Sequence, residues 1–300
     1  MKRIIPVFSV VAAVSLALVG CAAPSVPEDD GIAIVASTSV YGDIATSIVG
    51  ELGTVTSVIS DSGVDPHSFE ASARDQLAIA DADVVIANGG GYDPFVDALL
   101  EASGSKAVVI DAVTSSGLLS QDQTGVFNEH VWYSLNGMTQ VIGDIAEELG
   151  KIDPTNSASF EANSATLIAE LRMLETRETE LAALFTGGGG AVTEPVPVYL
   201  LEAIGLENLT PGDFSEAIEE GNDVPPLALE ETLDLLTNGS VRVLAYNSQT
   251  ASPETERVRQ AAEAAGIPVV EFTETLPEGA GYVSWMSDNL DALSAALQPR

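Results

Sequence analysis

Only two histidines occur in the 300 residues. His67 lies in DPHSFE, 65–70, and His130 in NEHVWYS, 128–134. A neutral imidazole can ligate a metal, relay a proton or hold a hydrogen bond. Two carboxylates occupy comparable settings later in the chain: Glu194 ends AVTE, 191–194, and Glu274 lies in EFTET, 271–275. Two imidazole nitrogens and two carboxylates would make a mixed nitrogen–oxygen site for a first-row divalent ion. The four positions are 63, 64 and 80 residues apart, far from the short ligand spacings of a zinc finger. On spacing alone, a loop histidine serves as well on the surface or in a hydrogen bond. Two glutamates among 45 acidic residues are no signature either.

Such a site needs a scaffold that gathers distant segments. IAIVASTS (32–39), TVTSVIS (54–60), DVVIANGG (83–90) and KAVVIDA (106–112) read as strands. Helices over 40–53, 72–82 and 94–104 alternate with them, which implies a parallel sheet covered on both faces. A helix over 134–149 follows the second histidine. Residues 156–185 read as one long helix, with Phe160, Leu167, Leu171, Leu174, Leu181 and Leu184 at helical spacing and no proline or glycine. At 1.5 Å per residue it would reach about 45 Å, a length suited to a rigid rod between two lobes. GGGG (187–190) ends it and reads as a turn or linker; like GGG (89–91), it lacks the Gly-Lys-Ser/Thr of a phosphate loop. Alternation resumes with AVTE, PVYLLEAIG (197–205), a strand near 241–248, a helix over 252–266, a strand over 267–272 and a helix over 282–297. Ser252 and Pro253 suit the cap and first turn of the 252–266 helix. The expected fold is α/β: two doubly wound lobes, 32–152 and 187–300, joined by a connecting helix, 153–186, with the ligand cleft between them. Open α/β sheets bind ligands beyond the carboxyl ends of their strands, where both histidines fall. Trp132 and Trp285 read as core residues and Asp223 as a helix cap.

Residues 1–21 read as a lipoprotein signal peptide: Lys2 and Arg3, an apolar run over 4–19, then LVGC at 18–21. The run is short for a membrane span. LVGC resembles the bacterial lipobox, whose cysteine is lipidated. Cys21 is the sole cysteine, so no internal disulfide can form. Acyl chains on Cys21 would anchor the protein to the cell membrane without spanning it, with 22–31 as a flexible tether. The chain carries 45 acids against 11 bases, a net charge of −34. That excludes nucleic acid and polybasic docking on lipid as partners. The same charge raises the local cation concentration.

Several segments carry a family resemblance. DPHSFE is similar to an Asp-Pro-His-x-Tyr/Phe-Glu motif, and NEHVWYS to Asn-Pro-His-Val-Trp-Leu, with Glu129 where proline is usual. DPTNSASFEANSATLIAEL (153–171) resembles the start of a long connecting helix. AVTEPVPVYLLEAIGL (191–206) and EFTETLPEGAGYVSWMSDNL (271–290) resemble two ligand-bearing segments, and YNSQT (246–250) a lower-cleft segment. In this order, from residue 32 onward, they resemble the metal-specific solute-binding lipoproteins of bacterial ABC importers, the zinc and manganese group. The resemblance implies His67, His130, Glu194 and Glu274 as metal ligands. It also implies an extracytoplasmic, lipid-anchored, monomeric protein that captures a divalent transition metal and delivers it to an ABC permease without catalysis. Glutamate at 194 is typical of manganese-type members, and no histidine-rich loop precedes His130. Both features lean toward Mn2+, although intrinsic affinity at such a site favours zinc; Zn2+ is the next expectation and Fe2+ a third. At 274 aspartate is usual. Two other readings share the scaffold. A metallohydrolase would need an open coordination position and a general base. An adhesin would use the fold alone. Cys21→Ala is expected to release the protein from the membrane fraction. Retention of the variant through high-salt and carbonate washes would refute the anchor.

Overall fold

A computed structural model describes residues 31–64, 66–120, 127–185 and 188–298. The signal segment, Cys21 and most of the tether lie outside these residues. Among the described residues no helix is long and apolar enough to cross a membrane.

The first lobe runs β1 (Ile32–Thr38), α1 (Ser39–Val49), β2 (Gly53–Ile59), α2 (Ala73–Ala80), β3 (Val84–Ala87), α3 (Pro94–Ser103), β4 (Val108–Asp111) and α4 (Ala112–Ser116). Two long helices follow, α5 (Leu135–Ile152) and α6 (Ser157–Leu184). The second lobe runs β5 (Gly189–Val192), α7 (Val198–Ala203), β6 (Glu207–Asn208), α8 (Gly212–Glu219), α9 (Pro226–Leu235), β7 (Val241–Asn247), α10 (Pro253–Ala264), β8 (Val269–Phe272) and α11 (Tyr282–Leu297). Both sheets are wholly parallel, with strand orders β2-β1-β3-β4 and β6-β5-β7-β8. Each order reverses direction around its first strand. That opens a crevice at the carboxyl edge, between β1 and β3 and between β5 and β7. β1, IAIVAST, is buried along almost its whole length, as a strand covered on both faces must be.

The helix expected over 156–185 folds as α6, about 42 Å long at 1.5 Å per residue. Its buried positions are Phe160, Ser164, Leu167, Leu171, Leu174, Glu178 and Leu181. They advance by four and three residues alternately, the 3.5-residue period of a coiled-coil seam. α6 packs on α5, α1 and α11. The lobes do not have separate inner cores. One apolar cluster joins Ile34, Ala36 and Val84 of the first sheet to Val243, Ala245 and Val270 of the second, through Phe160, Leu167, Leu171 and Leu174 of α6. Each outer face keeps a smaller cluster of its own, around Val35, Val85 and Phe95 in one lobe and Leu244, Phe214 and Val258 in the other. Trp132 and Trp285 are buried, as read from the sequence.

Three local features differ from the sequence reading. Gly189 and Gly190 belong to β5 rather than to a turn. A β-carbon on Gly189 would lie 2.1 Å from Leu209 Cδ1, so the glycine admits a leucine against the strand. Asp223 caps nothing: it is exposed in the loop before α9, whose N-cap position is Pro225. Finally, 206–240, where the sequence reading gives no element, holds β6, α8 and α9; β6 spans two residues and α8 eight.

Glu178 is the acidic residue in the α6 seam. Burial, helped by repulsion from Glu175, pushes its carboxyl up to about 7 from 4.5. Between those values the folded chain holds a proton that the unfolded chain has lost. Stability therefore falls as pH rises through this window and levels off above it. Glu178→Gln is expected to stabilise the protein at pH 8 by on the order of 1–3 kcal/mol and to be near neutral at pH 4.5. Urea unfolding at the two pH values checks this; an equal effect at both would show that Glu178 does not titrate in this range.

Candidate metal centre

The site is assembled from connections that leave the carboxyl ends of strands in both sheets. His67 sits in a 3-10 turn, Pro66–Ser68, between β2 and α2, with its ring edge-on to Tyr92 at 5.0 Å. His130 leads into a second 3-10 turn, Val131–Tyr133, and is fully buried. Its ring lies 5.0 Å from Trp132 and 5.8 Å from Tyr92. Glu194 follows β5 and Glu274 follows β8; both are buried.

Hydrogen bonds fix what each group can do. Asn128 Oδ1 accepts from the His130 backbone N–H at 3.1 Å, while Asn128 Nδ2 donates to the Pro195 carbonyl at 2.9 Å. The backbone donor identifies the oxygen end of the amide. His130 Nδ1, 2.7 Å from that oxygen, must therefore carry the proton. Nε2 is left with its lone pair toward the cleft, buried and without a hydrogen-bond partner. Burial, then the neighbouring His67, holds the His130 imidazole well below its ordinary value of 6.5. It is neutral at physiological pH, the state a metal requires.

Asn247, the last residue of β7, organises the carboxylates. Its Nδ2 donates to Glu194 Oε2 at 2.5 Å and to Glu274 Oε1 at 2.8 Å, and its backbone N–H donates to Thr193 Oγ1 at 2.9 Å. Thr250 Oγ1 donates to the other Glu194 oxygen, and the Glu274 backbone N–H donates to Gln249 Oε1. Glu274 Oε2 lies 3.9 Å from His67 Nε2.

Of the four sequence-derived positions, the structure brings three into one cluster. His67, His130 and Glu274 each offer a ligand atom within 4.8 Å of the others. Glu194 stands beside them, joined to Glu274 through the Asn247 amide, with its oxygens turned to Asn247 and Thr250. The sequence reading missed Glu219, the last residue of α8. Glu219 Oε1 lies 3.4 Å from His130 Nε2 and 3.8 Å from His67 Nε2, on a side chain 9% exposed. His67, Glu129 and Glu219 form a second set within 4.8 Å, overlapping the first. The available signal was helical: Ser215 and Ile218 lie on the buried face of α8, and Glu219 falls one turn after Ser215.

The electrostatic setting is severe. Burial, then the charges of Glu129, Glu194, Glu274 and Glu216, raises the Glu219 carboxyl far above an ordinary glutamate. Burial likewise raises Glu129. Four glutamates and two imidazoles face one small volume, and a divalent cation would relieve the repulsion directly. Two cavities of about 460 and 490 Å3 meet at His67, Glu219 and Glu220 and give solvent a path to the cluster.

Known proteins are similar to this chain along most of its length. The family described as zinc-uptake complex component A, periplasmic, matches residues 34–296. The manganese-binding lipoprotein MntA of Halalkalibacterium halodurans is 26% identical over 243 residues, 75% of this chain and 80% of that protein. The iron ABC transporter substrate-binding lipoprotein MtsA of Streptococcus pyogenes serotype M1 is 24% identical over 287 residues, 90% of each chain. The solved periplasmic zinc binding protein TroA from Treponema pallidum shares the fold, with a TM-score of 0.77 at 18% identity, covering 90% of this chain and 100% of that one.

Through its two donated bonds Asn247 aims two carboxylates. Asn247→Ala is expected to weaken divalent-cation binding by about 10–100-fold, the usual cost of losing an outer partner. Isothermal titration measures it, and unchanged affinity would show that the amide does not position the ligands.

Proposed function

The chain belongs to the zinc-uptake complex component A family of periplasmic metal-binding proteins, and from that premise we propose that it captures one divalent transition metal and delivers it to an ABC import permease. Members of this family are transport components rather than enzymes, which sets the hydrolase reading aside. The observation that carries the proposal is the convergence of a deprotonated, unpartnered His130 Nε2 with His67 and Glu274.

In this reading His67 and His130 supply nitrogen from the first lobe, and Glu274 and Glu194 supply oxygen from the second. Glu194 completes the set by giving up its bond from Thr250. Manganese is the favoured cargo, because glutamate oxygens are hard ligands; zinc and ferrous iron follow. Relatives support a choice within this group, being named for manganese and for iron. The protein acts as a monomer outside the cytoplasm, tethered through lipidated Cys21, the sole cysteine of the chain.

Metal should raise the thermal midpoint of the apo-protein by mass action. His67→Ala and His130→Ala are each expected to remove most of that gain. Glu194→His should shift the manganese-to-zinc ratio toward zinc, since a borderline nitrogen replaces a hard oxygen. Because burial keeps His130 neutral, proton competition at this residue should set in only below pH 6.5. Competition titrations of Mn2+ against Zn2+ decide these points. Undiminished binding after both histidine substitutions would refute the site, and an unchanged ratio in Glu194→His would remove Glu194 from the ligand set.

A further inference from the structure

The two sheets repeat one connectivity, and the repeat extends to the site. The order β2-β1-β3-β4 corresponds to β6-β5-β7-β8 strand for strand. Asn88 follows β3 as Asn247 ends β7. Asn88 Nδ2 donates to the Glu129 carbonyl in the connection after β4, and Asn247 Nδ2 donates to Glu274 in the connection after β8. Glu129 and Glu274 thus take corresponding places, and His130 is the residue next to Glu129. His67, on a short helical turn between β2 and α2, has its counterpart on α8, the short helix between β6 and α9. On α8 the residue that reaches the two imidazoles is Glu219.

The local chemistry points the same way. His130 Nε2 is an acceptor, because its proton is held on Nδ1 by Asn128. Glu219 Oε1, when ionised, is also an acceptor. The two face each other at 3.4 Å, and Glu219 Oε1 is buried with no hydrogen-bond partner. Two such atoms at that separation are reconciled by a proton on the raised Glu219 carboxyl, or by a cation that displaces that proton and sits between them. Ligands bound at about 2.0–2.2 Å and 90–120° apart lie roughly 3–3.8 Å from one another. The separations from Glu219 Oε1 to the two imidazoles, 3.4 and 3.8 Å, fit this range. Glu219 also ends α8, where the helix dipole disfavours negative charge and Glu216 and Glu220 add more.

We propose that Glu219 is a fifth protein ligand, binding the captured cation through Oε1 and biasing the site toward manganese over zinc. The inference rests on the metal-capture reading above. Two imidazoles with three carboxylates exceed the four-coordinate sphere zinc usually takes, and they suit a harder ion that accepts more oxygen ligands.

The full chain, freed of metal, is loaded with Co2+, Mn2+ or Zn2+. Cobalt absorbs weakly in the visible when five- or six-coordinate and several-fold more strongly when tetrahedral. Wild type should give the weak band, and Glu219→Gln a several-fold stronger one. Manganese affinity should fall by about tenfold or more in Glu219→Gln, and zinc affinity by much less. Glu219→Asp, shorter by one methylene, should be intermediate; circular dichroism confirms that both variants fold. An unchanged cobalt band with an unchanged manganese-to-zinc ratio overturns the proposal, as does an equal loss of both metals without a spectral change. Binding of two ions per chain would overturn the single five-ligand sphere. His130→Ala separates the two levels. If it loses all metals while Glu219→Gln behaves as wild type, only the fifth ligand is refuted. If His130→Ala still binds, the metal site itself is wrong.

Discussion

A site divided between two sheets works only if the sheets cannot drift apart, and the α6 seam supplies that restraint. Alternating steps of four and three residues keep Phe160, Leu167, Leu171, Leu174 and Leu181 on one line along the helix. Both sheets lean their inner faces on the same apolar cluster. Closely packed interiors resist sub-ångström change, so loops at the far edges of the sheets inherit a fixed frame. Polar ties reinforce it across the cleft. Tyr133 Oη donates to the Thr273 carbonyl and Tyr199 Oη to the Asn128 carbonyl, each at 2.7 Å. The Tyr282 backbone N–H donates to Asp43 Oδ2 at 2.8 Å.

That frame holds like charges together, which is the reverse of what folding alone would select. The rigid core absorbs the cost, and two amides share out the geometry. Asn128 sets the tautomer of one imidazole, and Asn247 aims two carboxylates. Neither would coordinate, yet without them the donors could rotate away from a common centre. Both imidazoles come from the first lobe, and the carboxylates come from both, Glu129 from the first and Glu194, Glu219 and Glu274 from the second.

The fold was legible where periodicity was strong. Strands buried on both faces, the uninterrupted run from Phe160 to Leu181 and the capped helix starting at Pro253 all announce themselves locally. The convergence of His67, His130 and Glu274 was legible only through motif resemblance, because spacings of 63 residues and more carry no geometric information. Glu219 was not legible, for two physical reasons. It sits on an eight-residue helix, too short for a clear amphipathic pattern, and it is one of five acids among residues 213–223. Asn247 was seen only as part of a cleft segment, since an amide that serves two carboxylates looks like any other polar strand end. Gly189 misled because its small size answers to Leu209 across the sheet, a contact made by tertiary packing.

The shared core bears on how fast cargo can be exchanged. A molecule whose halves swing on a flexible strand exchanges ligand on the timescale of domain motion, microseconds to milliseconds. Here the halves are fused along one seam, while Glu219 and its neighbours ride on a short helix beside the two openings. That helix is seated in turn on the second lobe's outer cluster through Phe214 and Ile218, so it shares the same frame. Exchange through those openings need not part the two halves, so the stiffness of the molecule does not by itself bar it.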